Sequence, residues 1–158
     1  MASPIRLTVP GTLRYRGVAV RAVAEAARLV SGSKPRDPSD PIAYDVRDPF
    51  DTAVVSAFME IYNNVAIHAY NREADAGTIE LTITPADGQI LIEMADHGAP
   101  FDITGVAPLP DPLDGNALPE GGMGIHIAKT MLDEVVYQPG PPNLWRLRKQ
   151  LATGGATP

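Results

Sequence analysis

Two runs of alternating apolar residues, separated by a tight turn signal, constrain the fold of this chain most strongly. The runs span residues 78–84 and 90–95, and the sequence Pro-Ala-Asp-Gly at residues 85–88 joins them. Alternation with a period of two predicts β-strands, and Asp-Gly between two such runs is a strong hairpin signal. The chain is therefore predicted to contain a pair of antiparallel strands.

Helical and further strand patterns flank this hairpin. Apolar residues at helical spacing predict helices over residues 17–30, from 48 to about 70, and from 124 onward. Short apolar runs predict strands over residues 5–9, 135–137 and 144–151, the last two joined by a turn at residues 139–143. Prolines at 35, 38, 41 and 49 predict a loop over residues 33–50.

The second helix has the clearest start. Asp48 can cap it, Pro49 occupies a position where a missing N–H costs nothing, and Asp51 lies in the first turn, where the helix dipole favours a carboxylate. A buried stripe is predicted along one side of the helix. Its members are Val54, Phe58, Ile61, Val65 and Ala69.

Composition excludes several classes of protein. The 158 residues fit one domain, here assigned to residues 1–151 with a short disordered tail at 152–158. The chain has no cysteine, which rules out disulfides and thiolate zinc sites. A net charge of −6 argues against direct binding of nucleic acid, and no apolar run approaches the roughly 20 residues of a membrane helix. A soluble cytoplasmic protein is expected.

Three polar residues recur every four positions along the second predicted helix. Glu60, Asn64 and His68 lie within an arc of about 80° opposite the apolar stripe. A carboxylate beside a carboxamide suits a magnesium–nucleotide site, because the amide oxygen can ligate Mg²⁺ and the carboxylate can deprotonate a hydroxyl. The spacing alone is also compatible with an ordinary solvated helix face.

Two further segments suggest ligand binding. At the end of a predicted strand, Asp96 could accept a hydrogen bond from the amino group of adenine, and Gly98 would allow a base to approach the backbone. Gly122, Met123 and Gly124 open the third helix, where free N–H groups favour anions. The sequence is not a Walker P-loop, since no GK[ST] follows the glycines. Ordinary turn chemistry and a flexible glycine-rich loop are the respective alternatives.

The order of these segments resembles that of a known ATPase superfamily. The runs MEIYNNVAIHAY, MADHGAPFD and GGMGIHIAKTMLDEVVY are similar to the N-box and the first and second glycine boxes of the GHKL, or histidine-kinase-like, ATPases. The PFD and LDEV sequences are typical of the anti-sigma factor serine/threonine-protein kinases of bacterial partner-switching systems. The resemblance covers roughly residues 5–150.

The resemblance implies a role for each matching residue. Glu60 is the implied general base and Asn64 the implied Mg²⁺ ligand. Asp96 is the implied adenine reader, with Gly98 beside it. Residues 122–124, that is Gly122, Met123 and Gly124, would meet the phosphates of ATP, and residues 105–120 would form the ATP lid. His68 matches a common histidine of the subgroup, with a ligand contact or helix packing as its role.

The resemblance also implies the fold and the partners. The expected fold is a two-layer α/β (α+β) sandwich of the Bergerat type, with a mixed, mainly antiparallel sheet and helices on one face. The implied activity is phosphorylation, from Mg·ATP, of a small anti-anti-sigma antagonist protein by a homodimer that also binds a sigma factor. A non-catalytic ATP-binding module and a detached ATPase domain of a sensor histidine kinase are the alternatives. The long 33–50 loop and the acidic Glu120 before the glycines depart from the pattern.

Overall fold

The computed structural model describes residues 3–34, 39, 48–70, 77–101 and 123–152. The helices in this part of the chain are α1 (Arg16–Ser31), α2 (Pro49–Asn64) and α3 (Met123–Met131). The strands are β1 (Ile5–Pro10), β2 (Thr78–Ala86), β3 (Gln89–Asp96), β4 (Glu134–Gln138) and β5 (Asn143–Gln150). A short 3₁₀ turn (Leu13–Tyr15) precedes α1, and a π-helix (Val65–Ala69) continues α2. Each helix and strand predicted from the sequence is therefore present.

The strands form a sheet in the order β1-β2-β3-β5-β4. Every pairing between these strands is antiparallel, whereas the sequence prediction allowed a mixed sheet. The predicted hairpin joins β2 to β3, and β5 then pairs with the other side of β3. This pairing places Asn143, the first residue of β5, directly opposite Asp96, the last residue of β3.

The core lies between one face of the sheet and the helices. Alternate residues of the central strands are buried there: Ile79, Leu81, Ile83, Ile90, Ile92, Met94, Trp145 and Leu147. The same cluster contains Val54, Phe58, Ile61 and Val65, the predicted apolar stripe of α2, with Ala69 partly buried against it. The predicted two-layer sandwich, with helices on one face of the sheet, is confirmed. In the described ranges, no helix combines the length and apolar character needed to cross a membrane.

The start of α2 is built as the sequence predicts. Asp48 is the N-cap, and its Oδ1 accepts a hydrogen bond of 3.0 Å from the backbone N–H of Asp51. Pro49 is the first helical residue. Asp51 is fully buried, and its carboxylate Oδ2 accepts a hydrogen bond from the Ser33 hydroxyl, which ties the start of α2 to the segment after α1.

The end of α2 differs from the prediction. A continuous α-helix to Tyr70 was expected, but the α-helix ends at Asn64 and a π-helix follows, closed by a 3.2 Å bond from the Tyr70 N–H to the Val65 carbonyl. The helical conformation therefore continues to Ala69, but with wider turns than an α-helix over its last five residues. His68 is exposed, and its ring centroid lies 5.9 Å from that of Phe101.

Tyr70 fixes the end of the π-helix to the sheet. Its hydroxyl donates to the Thr78 carbonyl at 2.6 Å and accepts from the His97 N–H at 2.9 Å. Its ring packs so closely on Gly11 that a Cβ there would lie 2.2 Å from Tyr70 Cδ2. These contacts join the end of β1, the start of β2 and the segment after Asp96, and so position the end of α2 beside Asp96.

Candidate functional site

A narrow crevice separates the end of α2 and its π-helix from the sheet. It is lined by Asn64, Val65, Ala69, Asp96, Ala99, Phe101, Tyr137 and Trp145. Two residues predicted from separate segments of the sequence, Asn64 and Asp96, therefore lie in the same crevice. The β4–β5 pair, which was predicted only as a closing element of the sheet, contributes Tyr137 and Trp145.

Asp96 is held by one of its two carboxylate oxygens. The residue is 1% exposed, and Oδ1 accepts hydrogen bonds of 2.9 Å from the Gly98 N–H and from Asn143 Nδ2. Oδ2 accepts none from the residues that the structure describes. Burying a carboxylate is costly unless its oxygens accept hydrogen bonds, so Oδ2 is suited to accept one from a ligand donor.

Gly98 is required by a close approach of two backbone segments. A Cβ at this position would lie 2.3 Å from the carbonyl oxygen of Ala69 in the π-helix. The same carbonyl accepts a 3.0 Å hydrogen bond from the Ala99 N–H. The sequence prediction attributed this glycine to the approach of a base. The structure shows a second reason, because a larger residue would clash with the backbone of Ala69.

Asn64 is half-buried at the last turn of α2. Its Nδ2 is buried and has no hydrogen-bond partner in the described part of the chain. Leaving an amide group buried without a partner costs about 1–3 kcal/mol, so such groups in native proteins usually meet a water, an ion or a ligand. Asn64 thus brings a buried donor, Nδ2, to the lining of the crevice.

Glu60 lies one turn before Asn64 and faces the start of α3. A Cβ at Gly124, the second residue of α3, would lie 2.5 Å from Glu60 Oε2, so this glycine makes room for the carboxylate. Both Glu60 and Asn64 are half-buried, which disfavours the alternative of a fully solvated helix face. Met123, the first residue of α3, is also half-buried. Gly122, Glu120 and the predicted lid at 105–120 lie outside the described residues.

This contact predicts opposite effects of two glycine substitutions at matched helix positions. Gly17 is the second residue of α1, and a Cβ there meets nothing within 4 Å. We expect Gly17→Ala to raise the free energy of unfolding by about 0.5 kcal/mol through better helix propensity, and Gly124→Ala to lower it by about 1 kcal/mol because Glu60 must move. Urea denaturation of both variants measures the difference. An equal gain in both would show that Gly124 is not needed for the Glu60 side chain.

Three aromatic rings form the wall of the crevice on the sheet side. The centroids of Tyr137 and Trp145 are 4.5 Å apart, and the Phe101 centroid lies 6.3 Å from each of them. The Phe101 N–H donates to the Tyr137 hydroxyl at 2.7 Å. Burial raises the pKa of Tyr137, the Phe101 N–H opposes this, and the nearby negative charge of Asp96 adds to it. Tyr137 is therefore protonated at neutral pH.

The free space between these walls is small. It amounts to about 10 Å³, no more than one water molecule needs. A purine base is larger than this space, so it can enter only if residues that line the crevice move. The sequence did not indicate this aromatic wall, because Tyr137 and Trp145 lie in short strand-like runs where aromatic residues are common.

Asn143 is the other site residue that the sequence analysis missed. It follows the sequence Pro-Gly-Pro-Pro and was assigned to a turn. The structure places it opposite Asp96 in the sheet, 2% exposed and bonded to the carboxylate. Only the strand register reveals this contact, since 47 residues separate the two positions.

Comparison with known proteins identifies the family of this chain. The family model of the histidine kinase-like ATPase domain matches residues 12–149. The serine-protein kinase RsbW of Staphylococcus epidermidis is 32% identical over 87 residues, which are 52% of this chain and 55% of that protein. RsbW of Halalkalibacterium halodurans is 30% identical over 136 residues, 83% of this chain and 73% of that protein.

The sequence match to the staphylococcal relative is partial, so a solved structure is the better comparison for the fold. The alignment with the staphylococcal protein spans about half of the length of that relative. A crystal structure of the RsbU and RsbW domains of Rv1364c from Mycobacterium tuberculosis aligns with a TM-score of 0.54 at 18% identity, covering 94% of this chain and 32% of that one. The likeness to this structure concerns the fold. With the family model matched over most of its length, the chain belongs to the histidine kinase-like ATPase domain family.

Proposed function

We propose that this chain binds Mg·ATP in the crevice and transfers the γ-phosphoryl group to a serine or threonine of a small anti-anti-sigma antagonist protein. One observation carries the proposal. The buried Asp96, with one oxygen open to a ligand donor, shares a crevice with Asn64, which lies one helical turn from Glu60 and whose Nδ2 is a buried donor without a partner among the described residues. Adenine recognition, metal ligation and proton abstraction each have a residue in reach.

Adenine is the base that Asp96 favours. Its Oδ2 can accept a hydrogen bond from the exocyclic amino group of adenine, whereas guanine presents an oxygen at that position and would place two acceptors face to face. The aromatic wall supplies apolar area for a base. The polar groups of the crevice thus fit the base, and its apolar wall can pack against the base once the crevice has opened.

Asn64 is suited to magnesium through its amide oxygen, Oδ1, since the unpartnered Nδ2 is a donor and cannot ligate a cation. Mg²⁺ prefers hard oxygen ligands, keeps several waters and is usually held by one or two side chains together with substrate phosphates. The described residues contain no cluster of three or more acidic, histidine or cysteine side chains, which agrees with such a sparsely ligated ion and not with a site built from protein alone. When bound, the ion would neutralise charge on the phosphates.

Glu60 and the start of α3 complete the proposed reaction. The carboxylate of Glu60 takes the proton of the acceptor hydroxyl, the hydroxyl oxygen forms a bond to the γ-phosphorus, and the bond from that phosphorus to the β–γ bridging oxygen breaks to release ADP. The N–H groups of Met123 and Gly124 lie at the positive end of α3, which favours phosphate. Gly122, to which the resemblance gives the same role, precedes them in the sequence and lies outside the described residues. Positioning and charge neutralisation supply most of the catalysis.

The acceptor and the partners are inferred from the relatives. Similar proteins are named serine-protein kinases, which favours a hydroxyl acceptor over the histidine of a sensor kinase. We further propose a cytoplasmic homodimer that binds a sigma factor when the antagonist is phosphorylated. The rival is a binding module that uses ATP as a regulatory ligand without chemistry.

Transfer of labelled phosphate separates the proposal from this rival. The purified chain is incubated with Mg²⁺, ATP labelled in the γ-phosphate and a small antagonist protein encoded near it. We expect label on a serine or threonine of the antagonist, released by alkali and stable to acid. Binding of ATP and antagonist without any labelled product would favour the non-catalytic module, and acid-labile label on histidine would favour the sensor-kinase alternative.

A further inference from the structure

Asn143 has all of its hydrogen-bonding groups engaged in the interior. Its Nδ2 donates to Asp96 Oδ1 and to the Gly98 carbonyl, both at 2.9 Å. Its Oδ1 accepts from the Gly140 N–H at 3.0 Å. One side chain therefore joins the turn between β4 and β5 to both ends of the segment that carries Asp96 and Gly98.

The three neighbours of Asn143 require the chemistry of a primary amide. Two are acceptors, Asp96 Oδ1 and the Gly98 carbonyl, and the third is a donor, the Gly140 N–H. A carboxamide offers two N–H donors and a carbonyl acceptor in one plane. A serine or threonine has one donor, and an ionised aspartate has none and would place its charge against Asp96. The contact set is thus specific to asparagine at this position.

We propose that Asn143 is the positioning residue that makes Asp96 selective for a base with an amino group. By engaging Oδ1, it fixes the rotation of the carboxylate, so that Oδ2 alone is presented to the crevice. By holding the Gly98 carbonyl, it keeps the segment after Asp96 against the π-helix. Asn143 acts through Asp96 and does not touch the ligand. The inference rests on the proposed adenine site.

The test compares two nucleotides that differ in one group. Calorimetric titration of Asn143→Ala with Mg·ATP and with Mg·purine riboside triphosphate, which lacks the amino group, reports affinity and the fraction of competent protein. We expect affinity for ATP to fall about tenfold, the effect of about one hydrogen bond, and affinity for the analogue to change less than about twofold. Asn63→Ala is the matched control. Asn63 Oδ1 also accepts a partly buried hydrogen bond, from Arg16 Nη1 at 2.8 Å, but Asn63 is not among the residues that line the crevice.

An equal loss of affinity for both nucleotides, or no loss for either, would overturn the positioning role of Asn143. If Asn143→Ala does not fold, Asn143→Ser retains one donor and is measured in the same way. A lower ratio of ATP to analogue affinity supports the proposal, and an unchanged ratio overturns it. Asp96→Asn distinguishes failure of the proposed adenine site from failure of the proposed role of Asn143. No loss of ATP affinity in Asp96→Asn would refute the adenine site itself, whereas a loss there without a selective loss in the Asn143 variants refutes only the inference.

Discussion

Replacing Glu60 with alanine is expected to lower the rate of phosphoryl transfer by about a hundredfold or more while Mg·ATP still binds. The expectation follows from the position of the carboxylate, half-buried between α2 and the start of α3 and not hydrogen-bonded to other described side chains. Such a group can accept the proton of an acceptor hydroxyl, and removing it affects the transition state more than the bound nucleotide.

Single-turnover transfer to the antagonist, measured beside calorimetric binding of ATP, checks this prediction. Glu80→Ala is the matched control, since Glu80 is an exposed glutamate on β2. Asn64→Ala should behave differently, weakening ATP chiefly when Mg²⁺ is present. A parallel loss of binding and transfer in Glu60→Ala would assign Glu60 to the organisation of metal or water, and an unchanged transfer rate would exclude it as the base.

Replacing Asp96 with asparagine should lower affinity for ATP by about ten- to a hundredfold while the fold survives. The amide oxygen can take the place of Oδ1 and still accept from the Gly98 N–H and Asn143 Nδ2. The amide nitrogen then occupies the place of Oδ2 and presents donors to the adenine amino group, which is also a donor. The substitution thus keeps the internal hydrogen bonds and reverses the polarity that the ligand meets.

Calorimetric titration and thermal unfolding of Asp96→Asn measure the two halves of this prediction. Asp133→Asn provides the comparison. Asp133 Oδ2 also accepts a hydrogen bond from a backbone N–H, that of Gln150 at 2.6 Å, but at an exposed position. Unchanged affinity of Asp96→Asn for ATP would remove Asp96 from the site. A large fall in melting temperature would show that the internal bonds were lost as well.

Local chemistry explains why most of the fold could be predicted. The Asp-Gly turn at 87–88 fixes a hairpin, and Asp48 with Pro49 marks a helix start, because each acts on its own backbone neighbours. The burial of alternate residues in β2 and β3 follows from strand period alone. Asp96 and Asn64 could be named as site residues because the order of motifs resembles a known superfamily.

The features that were missed depend on contacts between distant segments. The π-helix after Asn64 has no local signal in the sequence, and it is held by contacts of its C-cap residue Tyr70 with the segment after Asp96 and by the close approach of Gly98. Asn143 meets Asp96 only because β5 pairs with β3 in one particular register. The contacts of Phe101 with Tyr137 and Trp145 likewise depend on how two strands and a loop converge.

The emission of Trp145 tests most directly whether ATP binds in this crevice. It is the only tryptophan of the chain and lies under Phe101 and beside Tyr137, at the wall that a base must displace or contact. Titration with Mg·ATP is predicted to give a saturable change in emission that Mg·GTP at the same concentrations does not give and that Asp96→Asn loses. ATP binding detected by calorimetry without a change in Trp145 emission, or equal responses to ATP and GTP, would contradict the account.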